Sequence, residues 1–316
     1  MLPIIKNYTR QFIGLSRRLK DKRSVGVPVI KQHYIPQFII RNFADENELL
    51  TILDKQSFPV RSIISKSSAI LFENDIYETR NLDGTYFDRN IIENKFAQIE
   101  GYISNILRAV SKNLFNRRRL SSNEEAAFAL FIALQLVRLP WIREIIENSP
   151  KAESTSASDK DLFDKAIYRM MLFSRKNGFD FLKANGLDLS EEAKDELKGE
   201  SLSEYIASFI LSECAIYVLV APCNSSYILT DMPILIDQFS DAKYIFPVAP
   251  QIAICCCLFD KASKSELGGF IKAEKEWIEK INTLLFDKSK RWIICNKNDC
   301  PQISNRLKTR SYNDKT

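Results

Sequence analysis

Ala126-Ala127-Phe128-Ala129-Leu130-Phe131-Ile132-Ala133-Leu134-Gln135-Leu136-Val137-Arg138-Leu139 is the stretch on which the fold turns. Wound as a helix, it is apolar on every face except at Gln135 and Arg138, and such a helix is buried. The two polar residues stand three apart, so they share one face inside the protein. A guanidinium there needs a carboxylate partner, because an unpaired buried charge costs on the order of several kcal/mol. Glu93, Glu100 and Asp231 are the expected partners. Ser121 and Ser122, followed three residues on by Glu124 and Glu125, supply capping-box starts for this helix, and Pro140 ends or kinks it.

Upstream, Ile92, Phe96, Ile99, Ile103, Leu107, Val110 and Leu114 recur at spacings of three and four, which predicts one long amphipathic helix over about residues 88–115. Glu93 and Glu100 are seven apart and lie beside that apolar stripe on one face. Downstream, residues 148–160 are small and polar and predict a mobile loop, followed by helices over 161–176 and 203–213 joined by a charged connection at 190–200. From residue 215 the texture changes to strands, at 215–220, 227–230, 234–236, 244–248, 252–259 and 291–295, with one more helix at 273–286. Residues 48–54 and 60–65 predict a hairpin. Runs of helices followed by runs of strands, without regular alternation, give an α+β class: central buried helices on a mainly antiparallel sheet contributed largely by the C-terminal half. The expected organisation is a basic amphipathic arm (1–30), a single α+β domain (31–298) and a polar tail (299–316).

The net charge of +5 is unevenly spread. Residues 1–31 hold eight Lys/Arg against Asp21 alone, so this segment is +7 and the remainder −2. Within it Ile4, Ile5, Tyr8, Phe12, Leu15 and Leu19 fall at helical spacing. Electrostatic attraction to nucleic acid or another anionic ligand is therefore expected of the arm rather than of the body. Arg117-Arg118-Arg119 is read as a solvated helix end.

Seven cysteines without regular spacing argue against a secreted disulfide framework and for a cytoplasmic protein. Cys255-Cys256-Cys257 lies in an apolar run and reads as small buried hydrophobes on alternating faces of a strand. Cys295 and Cys300 lack zinc-knuckle spacing. Lys6 and Arg10 interrupt the N-terminus, so no secretory signal is expected. Residues 205–221 fall short of the roughly 20 apolar residues of a membrane span and include Ser208, Ser212 and Glu213.

One histidine excludes zinc sites that need two imidazoles. The nine glycines show neither the dinucleotide nor the P-loop spacing, and no nucleophile elbow occurs. The single histidine heads Lys31-Gln32-His33-Tyr34-Ile35-Pro36-Gln37-Phe38-Ile39-Ile40-Arg41-Asn42-Phe43, where Pro36 suits the first turn of a short helix.

His33-Tyr34-x-Pro36-x-x-x-x-Arg41-x-Phe43, Gln135-x-x-Arg138-x-Pro140, Thr230-Asp231-Met232-Pro233 and Phe246-Pro247-x-x-Pro250 occur in one order. Together they resemble the Domain of Unknown Function 4238 family, over about residues 31–298. Many of its members look like Ser-Asp-Asn-Pro where this chain has Thr230-Asp231-Met232-Pro233. The resemblance implies no activity, but it implies that His33, Arg41, Arg138 and Asp231 belong to one design.

Three readings of that design stand at this point. In the first, a nuclease-like phosphoester hydrolase, His33 is general acid or base, and Arg41 and Arg138 stabilise phosphoryl charge. Asp231, Glu93 and Glu100 then hold Mg²⁺ or Mn²⁺ or orient His33, Asp231 counting with His33, Arg41 and Arg138 among the catalytic residues, and Tyr34 and Gln135 complete the polar cluster. In the second, a non-catalytic sensor or interaction module binds a small anionic ligand or a protein partner. In the third, the cluster is a buried ion-pair network that fixes the fold.

Overall fold

The computed structural model describes residues 28–57, 61–114, 119–150, 156–172, 175–187, 190–196, 200–239, 241–259 and 268–296. The reading of residues 1–27 as a basic amphipathic arm and that of the polar tail lie outside these, as do Arg117 and Arg118. The chain is α+β. Its described residues pack as two compact units interleaved in sequence.

Among the described residues, the first unit takes 28–34, Glu73–Tyr102 and those within Ala129–Ser212. It holds the N-terminal half of the Ile91–Lys112 helix, the C-terminal half of the Ser122–Arg138 helix, and the helices Pro140–Glu147, Ala157–Leu172, Arg175–Ala184, Glu191–Glu196 and most of Leu202–Glu213. The strand Lys31–His33 and the ribbon Thr79–Arg80 with Tyr86–Phe87 complete it. Ala157–Leu172 and Arg175–Ala184 approach so closely that a Cβ on Gly178 would come within 2.4 Å of Met170 Cγ and 2.6 Å of the Ala166 carbonyl oxygen. Around this crossing Leu162, Ala166, Phe181 and Leu182 form a buried cluster, with the Phe87 ring against Phe181 at 5.3 Å.

The loop expected over 148–160 ends sooner than its composition suggested. Ser156 Oγ accepts the Asp159 N–H at 3.1 Å and the Ser156 carbonyl accepts that of Lys160. Those caps start the Ala157–Leu172 helix within the supposed loop. Likewise, the charged connection contains the short helix Glu191–Glu196.

Among the described residues, the second unit takes those within Ile35–Phe72, Ile103–Phe128 and 213–296. One sheet runs Gly269–Lys272, Cys214–Val220, Ile252–Leu258, Ala242–Ala249, Leu235–Phe239. Its pairs are antiparallel except the first, in which Gly269–Lys272 lies parallel to Cys214–Val220. Pro247 stands inside the fourth strand beside a register irregularity between Pro247 and Ala249, a setting that spares the ladder the missing N–H. The other sheet runs Arg61–Lys66, Leu49–Asp54, Trp292–Cys295, Leu229–Thr230, all antiparallel. The helix Lys275–Lys288 buries Ile278, Ile281, Leu285 and Phe286 in a cluster shared with Leu53 and Ile293 of one sheet and Leu219, Ile245 and Ala253 of the other.

The central helix is as apolar in space as in sequence: residues 126–139 are buried apart from half-buried Leu130. Ser121 and Glu124 close the capping box, Glu124 Oε2 accepting both the N–H and the hydroxyl of Ser121 at 2.7 and 2.8 Å. Leu139 is extended, and Pro140 opens a separate helix bent by 49° from the first. Among the described residues no single helix is long and apolar enough to cross a membrane.

Candidate functional site

Within the first unit Arg138 is 3 % exposed, and its donors are committed. Nη1 donates to Glu100 Oε1 at 2.6 Å, Nε to the Tyr77 hydroxyl at 3.1 Å, and Nη2 to the main-chain carbonyl of His33. The guanidinium carbon lies 4.1 Å from the centre of the Phe96 ring, a cation–π contact from the same helix that supplies Glu100. One turn earlier Gln135 Nε2 donates to the Tyr34 carbonyl at 2.7 Å. Gln135 and Arg138 thus grip two consecutive carbonyls of the His33-Tyr34 segment. Tyr77 reinforces the grip, its hydroxyl donating to His33 O at 3.1 Å.

Gln32 extends this network. Its Oε1 accepts the Tyr77 N–H at 2.8 Å and its Nε2 donates to Glu78 Oε1 at 2.8 Å. Glu78 in turn accepts the N–H of Asn90, the residue preceding the Ile91–Lys112 helix, where a carboxylate suits the positive end of the helix dipole. Burial alone would lower Arg138, but Tyr77 and Glu100 beside it raise it above the usual guanidinium range. Arg138 is therefore a permanent cation.

Of the three expected partners this cation bonds Glu100 alone; Asp231 accepts main-chain amides instead, and Glu93 stands beside the cation without a bond to it. Burial pushes its carboxyl up to about 7, against the pull of Arg138, and its Oε2 has no hydrogen-bond partner among the described residues. Gln135 Oε1 and the Tyr168 hydroxyl are likewise buried and unpartnered. Burial raises Tyr168 well above the usual phenol range.

The His33-Tyr34 segment and its Gln135/Arg138 helix are two of the motifs that travel together in the sequence, and they meet here through main-chain carbonyls. A family model described as "Protein of unknown function (DUF4238)" matches residues 31–299. The chain belongs to this DUF4238 family. Neither the curated proteins nor the solved structures contain a match to it.

The remaining motif residues of this DUF4238 chain lie in the second unit. Asp231 is a clamp on main chain: its carboxylate accepts the N–H groups of Lys290, Arg291 and Trp292 at 3.0, 2.7 and 3.1 Å, while its own N–H donates to Trp292 O. Burial raises its carboxyl, and those three amides pull it back. Arg41 is exposed and donates to Gln37 Oε1 at 2.7 Å. Asn42 reaches the Val248 carbonyl at 2.8 Å, beside Phe246-Pro247-x-x-Pro250.

Glu93, Glu100 and Asp231 were expected to hold Mg²⁺ or Mn²⁺. Among the described residues no group of three or more His, Cys, Asp or Glu could hold a metal ion. Glu100 is instead spent on Arg138, and Asp231 on backbone amides. His33 is 8 % exposed, and its carbonyl is what Arg138 and Tyr77 bind.

The first unit of the DUF4238 chain also carries a groove that the polar motifs did not signal, with a volume of about 600 Å³. Ile167, Met170, Met171, Leu202 and Tyr205 line it, with Glu200 among its polar residues. Ile167 and Tyr205 are 43 % and 61 % exposed. Arg175, also at the groove, donates to the Glu200 carbonyl at 3.0 Å. The adjacent methionines Met170 and Met171 were the available sequence signal, because paired flexible thioethers suit adaptable surfaces better than fixed cores.

Proposed function

We propose that this protein is a non-catalytic interaction module, whose groove in the first unit takes the apolar face of an amphipathic helix carrying basic residues. The observation that carries this reading is the exposure of Ile167 and Tyr205 at the groove, while the polar motif residues Gln135, Arg138 and Asp231 are spent on main chain. Apolar side chains left in water around a concavity are the ordinary mark of a binding surface. Methionines at its wall adapt to a helix laid into it. The charge of the partner follows from Glu200 at the groove and from Glu191, Glu192, Asp195 and Glu204 near it in the chain, so a basic helix is steered toward this side and an acidic one repelled.

The test is titration of fluorescent amphipathic helical peptides with basic or acidic polar faces against wild type, Ile167→Asp and Tyr205→Ala. The expected result is binding of the basic series, weakened about tenfold or more in either variant. Equal binding of both series, or variants indistinguishable from wild type, would overturn the reading.

One observation favours the second reading, a phosphoester-directed hydrolase. A carboxyl held near 7 beside a permanent cation is suited to proton transfer at neutral pH, and Glu93 with Arg138 is such a pair. Its test is cleavage of nucleic acids.

A further inference from the structure

We propose that Cys257 and Cys255 form a peroxide-reactive thiol pair, with Cys257 the attacking sulfur and Cys255 the one that resolves it into a disulfide. The two sit two residues apart on the strand Ile252–Leu258, so they face the same side, and their Sγ atoms are 3.5 Å apart. They differ in access. Cys255 is 4 % exposed within the core that contains Tyr227 and Ala253, whereas Cys257 is half-buried toward the end of the strand. A sensor cysteine needs reagent access and a neighbouring thiol, and this strand provides one of each.

Access assigns the roles: the half-buried Cys257 meets the oxidant, and the buried Cys255 waits within reach of it. Either thiol can donate across this contact; once Cys257 is ionised the Cys255 thiol donates to it, which favours the Cys257 thiolate against burial and nearby Asp241. The same bond, with burial, drives Cys255 far upward. Cys256 points to the other face, and its burial also raises it.

The strand sets the strain of closure. Two residues along a regular strand advance about 6.6–6.8 Å, the outer limit of the roughly 4.4–6.8 Å that a disulfide spans between Cα atoms. At this point the ladder is irregular: Ala242 pairs with Cys257 but Tyr244 with Cys256, so Lys243 is an extra residue opposite the pair. The extra residue lies in the neighbouring Ala242–Ala249 strand, and the cysteine strand itself keeps regular register with Cys214–Val220, so closure distorts it locally. The bridge so formed remains strained and readily reduced.

In the first step the Cys257 thiolate attacks one oxygen of hydrogen peroxide. The O–O bond breaks, and hydroxide leaves and takes up a proton as water, giving a sulfenic acid. The Cys255 thiol then attacks the Cys257 sulfur: the S–S bond forms, the S–O bond breaks, and the departing hydroxide leaves with the Cys255 proton as a second water. Two thiols are oxidised and one peroxide is reduced to two waters.

The experiment treats the full chain with hydrogen peroxide, blocks free thiols and maps them by mass spectrometry. In wild type, the peptide spanning residues 244–261 is expected two hydrogens lighter and to be restored by dithiothreitol, with the link between Cys255 and Cys257. In Cys255→Ser the sulfenic acid on Cys257 is expected to persist and to be trapped by dimedone. In Cys257→Ser, with an unchanged melting temperature, neither product is expected at Cys255. Exposed Cys223 reports in each sample that the oxidant was active. Oxidation of Cys223 with Cys257 untouched in both wild type and Cys255→Ser would overturn the proposal, as would a link from Cys257 to another cysteine.

Discussion

Arg138 Nη1 lies 2.6 Å from Glu100 Oε1, joining a guanidinium that is 3 % exposed to a carboxylate that keeps 21 % of its side-chain surface in water. The partly wet end belongs to the acid, so the two partners do not tolerate loss equally. Arg138→Ala strands the His33 carbonyl and the Tyr77 hydroxyl as well as Glu100, and is expected to destabilise the protein by about 3–5 kcal/mol. Glu100→Gln keeps an acceptor and is expected to cost about half as much. Urea midpoints of the two variants check both values, and an unshifted Arg138→Ala would contradict the clamp.

Stability is expected to fall as the pH rises through the acid-to-neutral range. Glu93 has an ordinary value of 4.5 and is pushed up to about 7 by burial. Between those values the unfolded chain is ionised at Glu93 while the folded chain holds the proton. The stabilisation is complete below about 4.5, is lost as the pH passes 7, and amounts to on the order of 2–3 kcal/mol. Chemical denaturation at pH 5 and pH 8 measures it; Glu93→Gln should flatten that difference.

Asp231 holds three successive amides, and a carboxylate in that position has no substitute of the same shape. Asp231→Ala should cost about 3 kcal/mol or more, since hydrogen bonds to a charged group contribute about 1.5–3 kcal/mol each and the amides are left without an acceptor. Faster hydrogen exchange at Lys290–Trp292 is the specific sign, distinguishing local release from general loss of stability.

Gly178→Ala should destabilise by about 1–3 kcal/mol through overpacking, because the new methyl meets the Ala166 carbonyl oxygen, which cannot swing away as Met170 can. Met170 also lines the groove, so peptide binding should weaken in the same variant. Unchanged stability would mean that the two helices separate without cost.

Single- and double-stranded DNA and RNA, incubated with Mg²⁺ or Mn²⁺, test the hydrolase reading against wild type, His33→Gln and Glu93→Gln. If that reading holds, wild type cuts and the variants retain their fold and lose cleavage. If wild type cuts none of the four substrates, the hydrolase is dropped and the interaction module stands alone.

Residues 126–139 announced a buried helix because twelve of fourteen positions are apolar, and Glu100 was nominated for Arg138 together with Glu93, seven residues away on the same helical face, and Asp231. What Arg138, Gln135 and Asp231 also bind was not legible. Their acceptors and donors are main-chain groups, which every residue carries, so no side-chain pattern marks them. Tyr77 was overlooked for a related reason: its phenol joins His33 and Arg138 across 44 and 61 residues, beyond any local period. The strand Gly269–Lys272 was missed because four residues, one of them glycine, are too few to show an alternation. Groove residues Met170 and Met171 were not singled out, because two apolar residues in a helical stretch carry no sign of whether they face core or solvent.

Leu49–Asp54 forms one hydrogen-bonded edge with Arg61–Lys66, which follows it at once, and the other with Trp292–Cys295. On a ribosome adding about 5–20 residues per second, the second partner arrives some 10–50 s after the first. Through that interval the hairpin presents an open, apolar strand edge to whatever else is in the cell. Cellular yield of this protein should therefore depend on chaperone capacity and on the pace of translation between residues 54 and 292 more than on the stability of the finished fold.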